Sequence, residues 1–144
     1  MVFRTALRIT GNAADAEDVL QTVFLRLMRR DLSATIVDSY EYYLRRAAVN
    51  AALDIVRSGK QSKEVSLENV PASPPQSDAE ELRGRLRAAL GRLPAREAEI
   101  FALRFFEEHS NQEIARMLGI SQVHVAVIVH RTRRQLQKEL GANS

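Results

Sequence analysis

Residues 111–130 read NQEIARMLGISQVHVAVIVH. A short helix, a turn holding Gly119 and a second helix make a helix-turn-helix layout. The second helix of such a unit enters a DNA major groove while contacts from its ends hold phosphates. Ala115 is small enough for the two helices to approach closely, and Gly119 supplies the backbone geometry of the turn. Ile114, Leu118, Ile120, Val125 and Val129 fall at the spacings that pack the pair. A plain helical hairpin with no DNA role is the competing possibility. Covalent chemistry finds little to work with. His109, His124 and His130 are spread over a loop and a helix, and His124 and His130, six apart, do not share a face for a metal. Glu80/Glu81 and Glu107/Glu108 are adjacent pairs that point apart. The chain has no cysteine, which excludes disulfides, thiolate metal sites and a thiol nucleophile. No Gly-rich phosphate loop and no Ser-His-Asp arrangement is legible. The expectation is a non-enzyme with no catalytic residue, cofactor or metal.

Two further groupings suit binding. Arg46, Asn50, Asp54 and Arg57 stand at i, i+4, i+8 and i+11, so a helix lines them along one face. Arg and Asn suit phosphates and base edges, and Tyr40, Tyr42 or Tyr43 could stack on an unpaired base. The alternative is an ordinary solvated face with an Asp54–Arg57 pair and Tyr43 in the core. Asp15, Glu17 and Asp18 cluster where a helix would begin, and the macrodipole favours anions there. Read alone, this is a solvated acidic first turn with Phe24 in the core.

The elements that must position these residues are all helical, because apolar positions recur at helical spacing and no strand pattern is convincing. The fold class is therefore all-α. Helices are expected over 2–9, over 13–30 after Asn12, and over 40–57 after Ser39 as cap. Val19, Leu20, Val23, Phe24 and Leu27 would form the stripe of the second. Further helices are expected at 79–92, starting from Asp78 with Glu81, and at 95–107 after Pro94, with Ala98, Phe101, Ala102 and Phe105 inward. Ser110 with Glu113 forms a capping box for a short helix that Gly119 stops, and Ser121 caps a last helix to about Leu140. Residues 58–78, SGKQSKEVSLENVPASPPQSD, hold three of the four prolines and five serines. Such a run reads as a flexible linker between two small modules, 1–57 and 79–144. The 144 residues carry 21 basic and 18 acidic side chains, a formal net charge of +3. Residues 79–144 hold 11 basic against 8 acidic groups, so the mild basicity sits in the second module. It permits a nucleic-acid partner without demanding one. No run approaches the length of a membrane span and no leader is legible, so a cytoplasmic protein is expected.

A family resemblance joins these pieces. The stretch LPAREAEIFALRFFEEHSNQEIARMLGISQVHVAVIVHRTRRQLQKEL (93–140) resembles region 4 of bacterial RNA polymerase sigma factors of the extracytoplasmic-function (ECF) type. FRTALRITGNAADAEDVLQTVFLRLMRR (3–30) resembles the start of region 2. Tyr43, Leu44, Ala48, Asn50, Leu53, Asp54 and Arg57 match the pattern at its end. The resemblance implies a factor that binds core polymerase, directs promoter recognition and starts transcription. It implies that Asp15, Glu17, Asp18, Gln21, Phe24 and Leu25 dock on the beta-prime clamp helices, an acidic amphipathic helix on an Arg-rich partner. It implies that region 4 meets the beta flap, that the face with Arg46, Asn50 and Arg57 holds the melted promoter element, and that an anti-sigma protein is a further partner.

The chain also departs from the family. Region 2 normally opens with a longer first helix, and Met1 falls inside it. Val49 stands where Arg is common and Tyr43 where Trp is usual. In the recognition helix, the usual Lys and Arg are replaced by Ala126 and Ile128. Gln122, His124, His130 and Arg131 remain as readers, and Arg131, Arg133, Arg134 and Lys138 make a basic end suited to phosphates. Val123 and Val127, with Ala126 beside them, form an apolar strip expected to be covered by the first module, a second copy or another protein. Two other functions therefore stand beside the sigma factor. One is a degenerate sigma-like protein that binds polymerase or an anti-sigma partner without reading DNA. The other is an unrelated helix-turn-helix regulator.

Overall fold

The computed structural model describes residues 1–29, 37–59 and 78–141. Seven helices and no strand occur among the described residues. Helix α1 (Val2–Thr10) ends on Gly11, whose left-handed φ of 72° lets its N–H reach the Leu7 carbonyl at 2.8 Å. The side chain of Asn12 then accepts from the Asp15 N–H at 3.1 Å and starts α2 (Ala13–Arg29). Helix α3 (Val37–Ser58) is the longest. It begins two residues before Ser39, which lies in its first turn instead of capping it.

Helix α4 (Asp78–Gly91) takes in Asp78 as its first residue. Helix α5 (Ala95–Phe105) follows Pro94, as expected from a residue with a fixed φ and no N–H to leave unpaired. The expected capping box is present at α6 (Asn111–Leu118). Ser110 Oγ accepts from the Glu113 N–H, and Glu113 Oε1 accepts from the Ser110 N–H, both at 3.1 Å. Gly119, at φ 69°, closes α6 with its N–H on the Ala115 carbonyl. Ser121 Oγ accepts from the His124 N–H at 3.0 Å and opens α7 (Gln122–Gly141).

The two modules do not hang apart. Their apolar side chains form one continuous core, running from Ile9, Val19 and Leu53 to Leu90, Ile100, Ile114 and Val125. Helix α3 is the keel of this arrangement, packing against α1, α2, α4, α5 and α6. Gly91 marks how close the halves come: a side chain there would meet Val56 Cγ1 and the Val56 carbonyl oxygen at 3.3 Å. Most of the expected linker, residues 60–77, lies outside the described residues.

Close packing corrects two of the expected apolar stripes. In α5, every residue from Ala98 to Leu103 is buried, because α3 covers the side that α6 and α7 leave open. Phe105, expected inward, is exposed at the end of the helix and stacks on Phe101 at 4.6 Å. In α2, Val19 and Val23 are buried and Leu27 half-buried, while Leu20 and Phe24 face outward. A 17-residue helix laid on one side of α1 and α3 cannot bury so wide an arc.

Candidate functional site

The outer surface of α2 brings Glu17, Asp18, Gln21, Phe24 and Leu25 together in the open. Phe24 is 59% exposed and Leu25 53%. Leu20, expected inward, and Met28, for which no role was expected, extend the same patch. Contiguous exposed apolar side chains beside an acidic turn are what a partner surface looks like. Asp15 does not belong to this surface. It is 2% exposed, and its N–H is the one the Asn12 side chain caps, so its place is the start of the helix.

The face of α3 carrying Arg46, Asn50 and Arg57 is partly occupied by the second module. Arg46 donates to Glu99 from Nε at 2.7 Å and from Nη2 at 3.2 Å. Asn50 Nδ2 donates to the same carboxylate at 2.9 Å. Glu99 is only 4% exposed, on the part of α5 that α3 covers. Arg57 pairs with Asp54 at 3.2 Å at the exposed end of α3. Beside Arg46 and Asn50 opens a cleft of about 450 Å3, walled also by Arg26, Tyr42, Tyr43 and Arg116. Arg26 from α2 and Arg116 from α6 join it only through the fold. No spacing in the sequence could have revealed them.

A second carboxylate ties the modules at the other end. Glu107 accepts from Thr5 Oγ1 at 2.6 Å and from Arg8 Nε and Nη2, both at 2.9 Å. Burial pushes the Glu107 carboxyl up, but the hydrogen bonds from Arg8 and Thr5 outweigh it and hold the group below the usual carboxylate range. The same bond raises Arg8. Arg87 donates from Nε to the Ile9 carbonyl at 3.1 Å, and its burial lowers its own pKa. Gly11 leaves room for that guanidinium, which a side chain at position 11 would strike.

The outward side of α7 presents Gln122, Val123, His124, Ala126, Val127, His130, Arg131, Arg133 and Arg134. Its inward side buries Val125, Ile128, Thr132 and Leu136. Val123 is 73% exposed and Val127 51%, so the first module does not cover the apolar strip, contrary to one of the expected coverings. Ile128 is a core residue, which explains why no arginine stands there. Arg131 makes a loose pair with Glu97 at 3.4 Å, and Arg133 lies over the Phe105 ring at 6.0 Å. The surface can hold phosphates at its basic end and touch base edges or methyl groups along its length.

Comparison with known proteins bears on both modules. Residues 1–62 match the family model described as Sigma-70 region 2, and residues 83–136 match Sigma-70, region 4. The chain is 32% identical over 151 residues to the ECF RNA polymerase sigma factor SigE of Mycolicibacterium smegmatis, covering 99% of this chain and 58% of that protein. It is 33% identical over 145 residues to the RNA polymerase sigma-E factor of Streptomyces coelicolor, covering 98% of this chain and 80% of that one. It is 29% identical over 150 residues to the ECF sigma factor SigL of Mycobacterium tuberculosis, covering 98% and 85%. With region 2 built on α1–α3, region 4 on α4–α7, and relatives of this kind along almost its whole length, the chain belongs to the RNA polymerase sigma factors of the ECF type.

Proposed function

We propose that this chain recruits core RNA polymerase through the outer face of α2 and places it on a promoter through α3 and α7. The observation that carries the polymerase assignment is the exposed set Leu20, Phe24, Leu25 and Met28 next to Glu17, Asp18 and Gln21. An apolar anchor with an acidic rim suits a basic amphipathic partner, here the clamp helices of the beta-prime subunit. The mechanism is binding and positioning, with no covalent step, and its place of action is the cytoplasm, where polymerase and chromosome meet. Helix α3 serves melted promoter DNA through Arg46, Asn50 and Arg57, with Tyr42 and Tyr43 at the edge of the cleft for stacking. Helix α7 serves the upstream duplex through Gln122, His124, His130, Arg131, Arg133 and Arg134, while region 4 also meets the beta flap. An anti-sigma protein is a further partner. The test is co-purification of the chain with core polymerase, followed by transcription from promoter DNA. Capture of polymerase without any transcript would favour the second possibility, a sigma-like protein that binds polymerase but does not read DNA. The exposed Val123 and Val127 in place of polar readers support that alternative.

A further inference from the structure

We infer that the chain associates with itself: the exposed stripe of α2 on one copy packs antiparallel against the exposed stripe of α7 on a second copy. Glu17, Gln21, Phe24 and Met28 stand at i, i+4, i+7 and i+11 on α2, and all four are exposed. Val123, Val127, His130 and Arg134 repeat the same spacing on α7 and are likewise all exposed. This is the spacing of the seam along which two helices interlock. Its apolar members are bare: Phe24 is 59% exposed, Met28 70%, Val123 73% and Val127 51%. Neither stripe is covered within its own chain.

The order of chemistry along the two stripes selects the partner and its direction. Helix α2 runs from acidic to apolar, and α7 runs from apolar to basic. Laid antiparallel, Met28 meets Val123, Phe24 meets Val127, Gln21 meets His130 and Glu17 meets Arg134. Asp18 comes beside Arg131, which its own chain holds only by the loose pair with Glu97 at 3.4 Å. A parallel alignment would instead set Glu17 on Val123 and Met28 on Arg134, burying charge against apolar groups. Antiparallel helices also bring opposite ends of their macrodipoles together. The formal net charge of +3 is too small to hold copies apart at physiological salt. The contact is heterologous, so a pair either makes it twice and closes, or leaves one α2 and one α7 open to further copies. A second copy on these stripes competes with whatever else docks there. That consequence for polymerase and upstream DNA, unlike the association itself, rests on the proposed roles of α2 and α7.

The experiment is sedimentation of the full chain, without polymerase or DNA, from about 1 to 200 µM, so its outcome stands apart from the polymerase assignment. Two short helical stripes make a small interface, and the average mass should rise above that of one 16.2 kDa chain with a midpoint of about 10–100 µM. One variant carries Glu17→Arg with Asp18→Arg, the other Arg131→Glu with Arg134→Glu. All four positions are exposed. Each variant alone sets like charges across the contact and should associate at least about tenfold more weakly. An equal mixture of the two restores opposite charges and should regain the association of the unaltered chain. The natural chain has no cysteine, so single cysteines report direction. Under mild oxidation, Met28→Cys should cross-link faster to a chain with Val123→Cys than to one with Arg134→Cys, the neighbour that a parallel alignment would offer. A single-chain mass at every concentration would overturn the inference. So would association that ignores both charge reversals, a mixture that regains nothing, or preferred cross-linking to position 134.

Discussion

Phe24 is the residue on which the polymerase assignment turns. Its ring is more than half exposed on α2, with Asp18 on the same outer surface. Removal of an exposed side chain changes stability by no more than about 0.5 kcal/mol, whereas loss of an aromatic anchor from an interface costs upward of ~1.4 kcal/mol, about tenfold in affinity. Phe24→Ala should therefore weaken core-polymerase binding at least tenfold while circular dichroism and melting stay unchanged, and Asp18→Lys should weaken it in the same way. A drop in helicity for Phe24→Ala would show that the ring belongs to the core after all. Ile128 teaches the converse lesson. Its position in the recognition helix invites an arginine by family analogy, but it is buried in the core. Ile128→Arg should destabilise the fold by several kcal/mol, because it buries an unpaired charge. Ala126→Lys, on the exposed side, should leave stability unchanged and raise duplex affinity at low salt.

At the scale of elements, local chemistry is strongly legible. Asn12, Pro94, the Ser110–Glu113 box, Gly119 and Ser121 each stand at the helix boundary that their side-chain or backbone chemistry dictates. Ser110→Ala should cost about 1 kcal/mol, seen as a lower denaturant midpoint at unchanged slope, because it leaves the Glu113 N–H without its cap. Which face each helix buries was less legible. Glu99 and Phe24 show why: a charged residue can be buried when a partner from the other module pairs with it, and a phenylalanine can be exposed where no neighbour reaches. Both outcomes depend on contacts between residues far apart in sequence, here 53 positions for Arg46 and Glu99. The α7 surface follows from its own sequence. Val123, Ala126 and Val127 supply no hydrogen bonds to bases, while Arg131, Arg133 and Arg134 supply charge. Duplex binding by the full chain should fall steeply with salt and differ little between sequences, and a titration of promoter and random duplexes from about 50 to 200 mM salt would show it.

The whole molecule is a single packed unit whose two halves are tied by buried carboxylates. Glu107 makes that tie sensitive to acid. Its folded pKa lies below the ordinary 4.5, so its contribution to stability is complete above that value and is lost as the pH falls through the depressed one. Arg8 is about half exposed, so solvent screens the pair and the contribution is modest. The chain should thus lose part of its stability below about pH 4.5, and Glu107→Gln should be less stable at neutral pH with a flatter acid limb. Denaturant titrations of both proteins across that range would measure the difference.

Transcription of genomic DNA from the source bacterium by its core polymerase, with and without this chain, most directly tests whether the molecule works as a sigma factor. Mapping of RNA 5′ ends should reveal a set of starts that appear only when the chain is added. Those starts should disappear with Phe24→Ala and weaken with Arg46→Ala and Asn50→Ala. A chain that binds core enzyme with the expected dependence on Phe24 and yet produces no new start would contradict the account, and leave a polymerase-binding protein that reads no promoter.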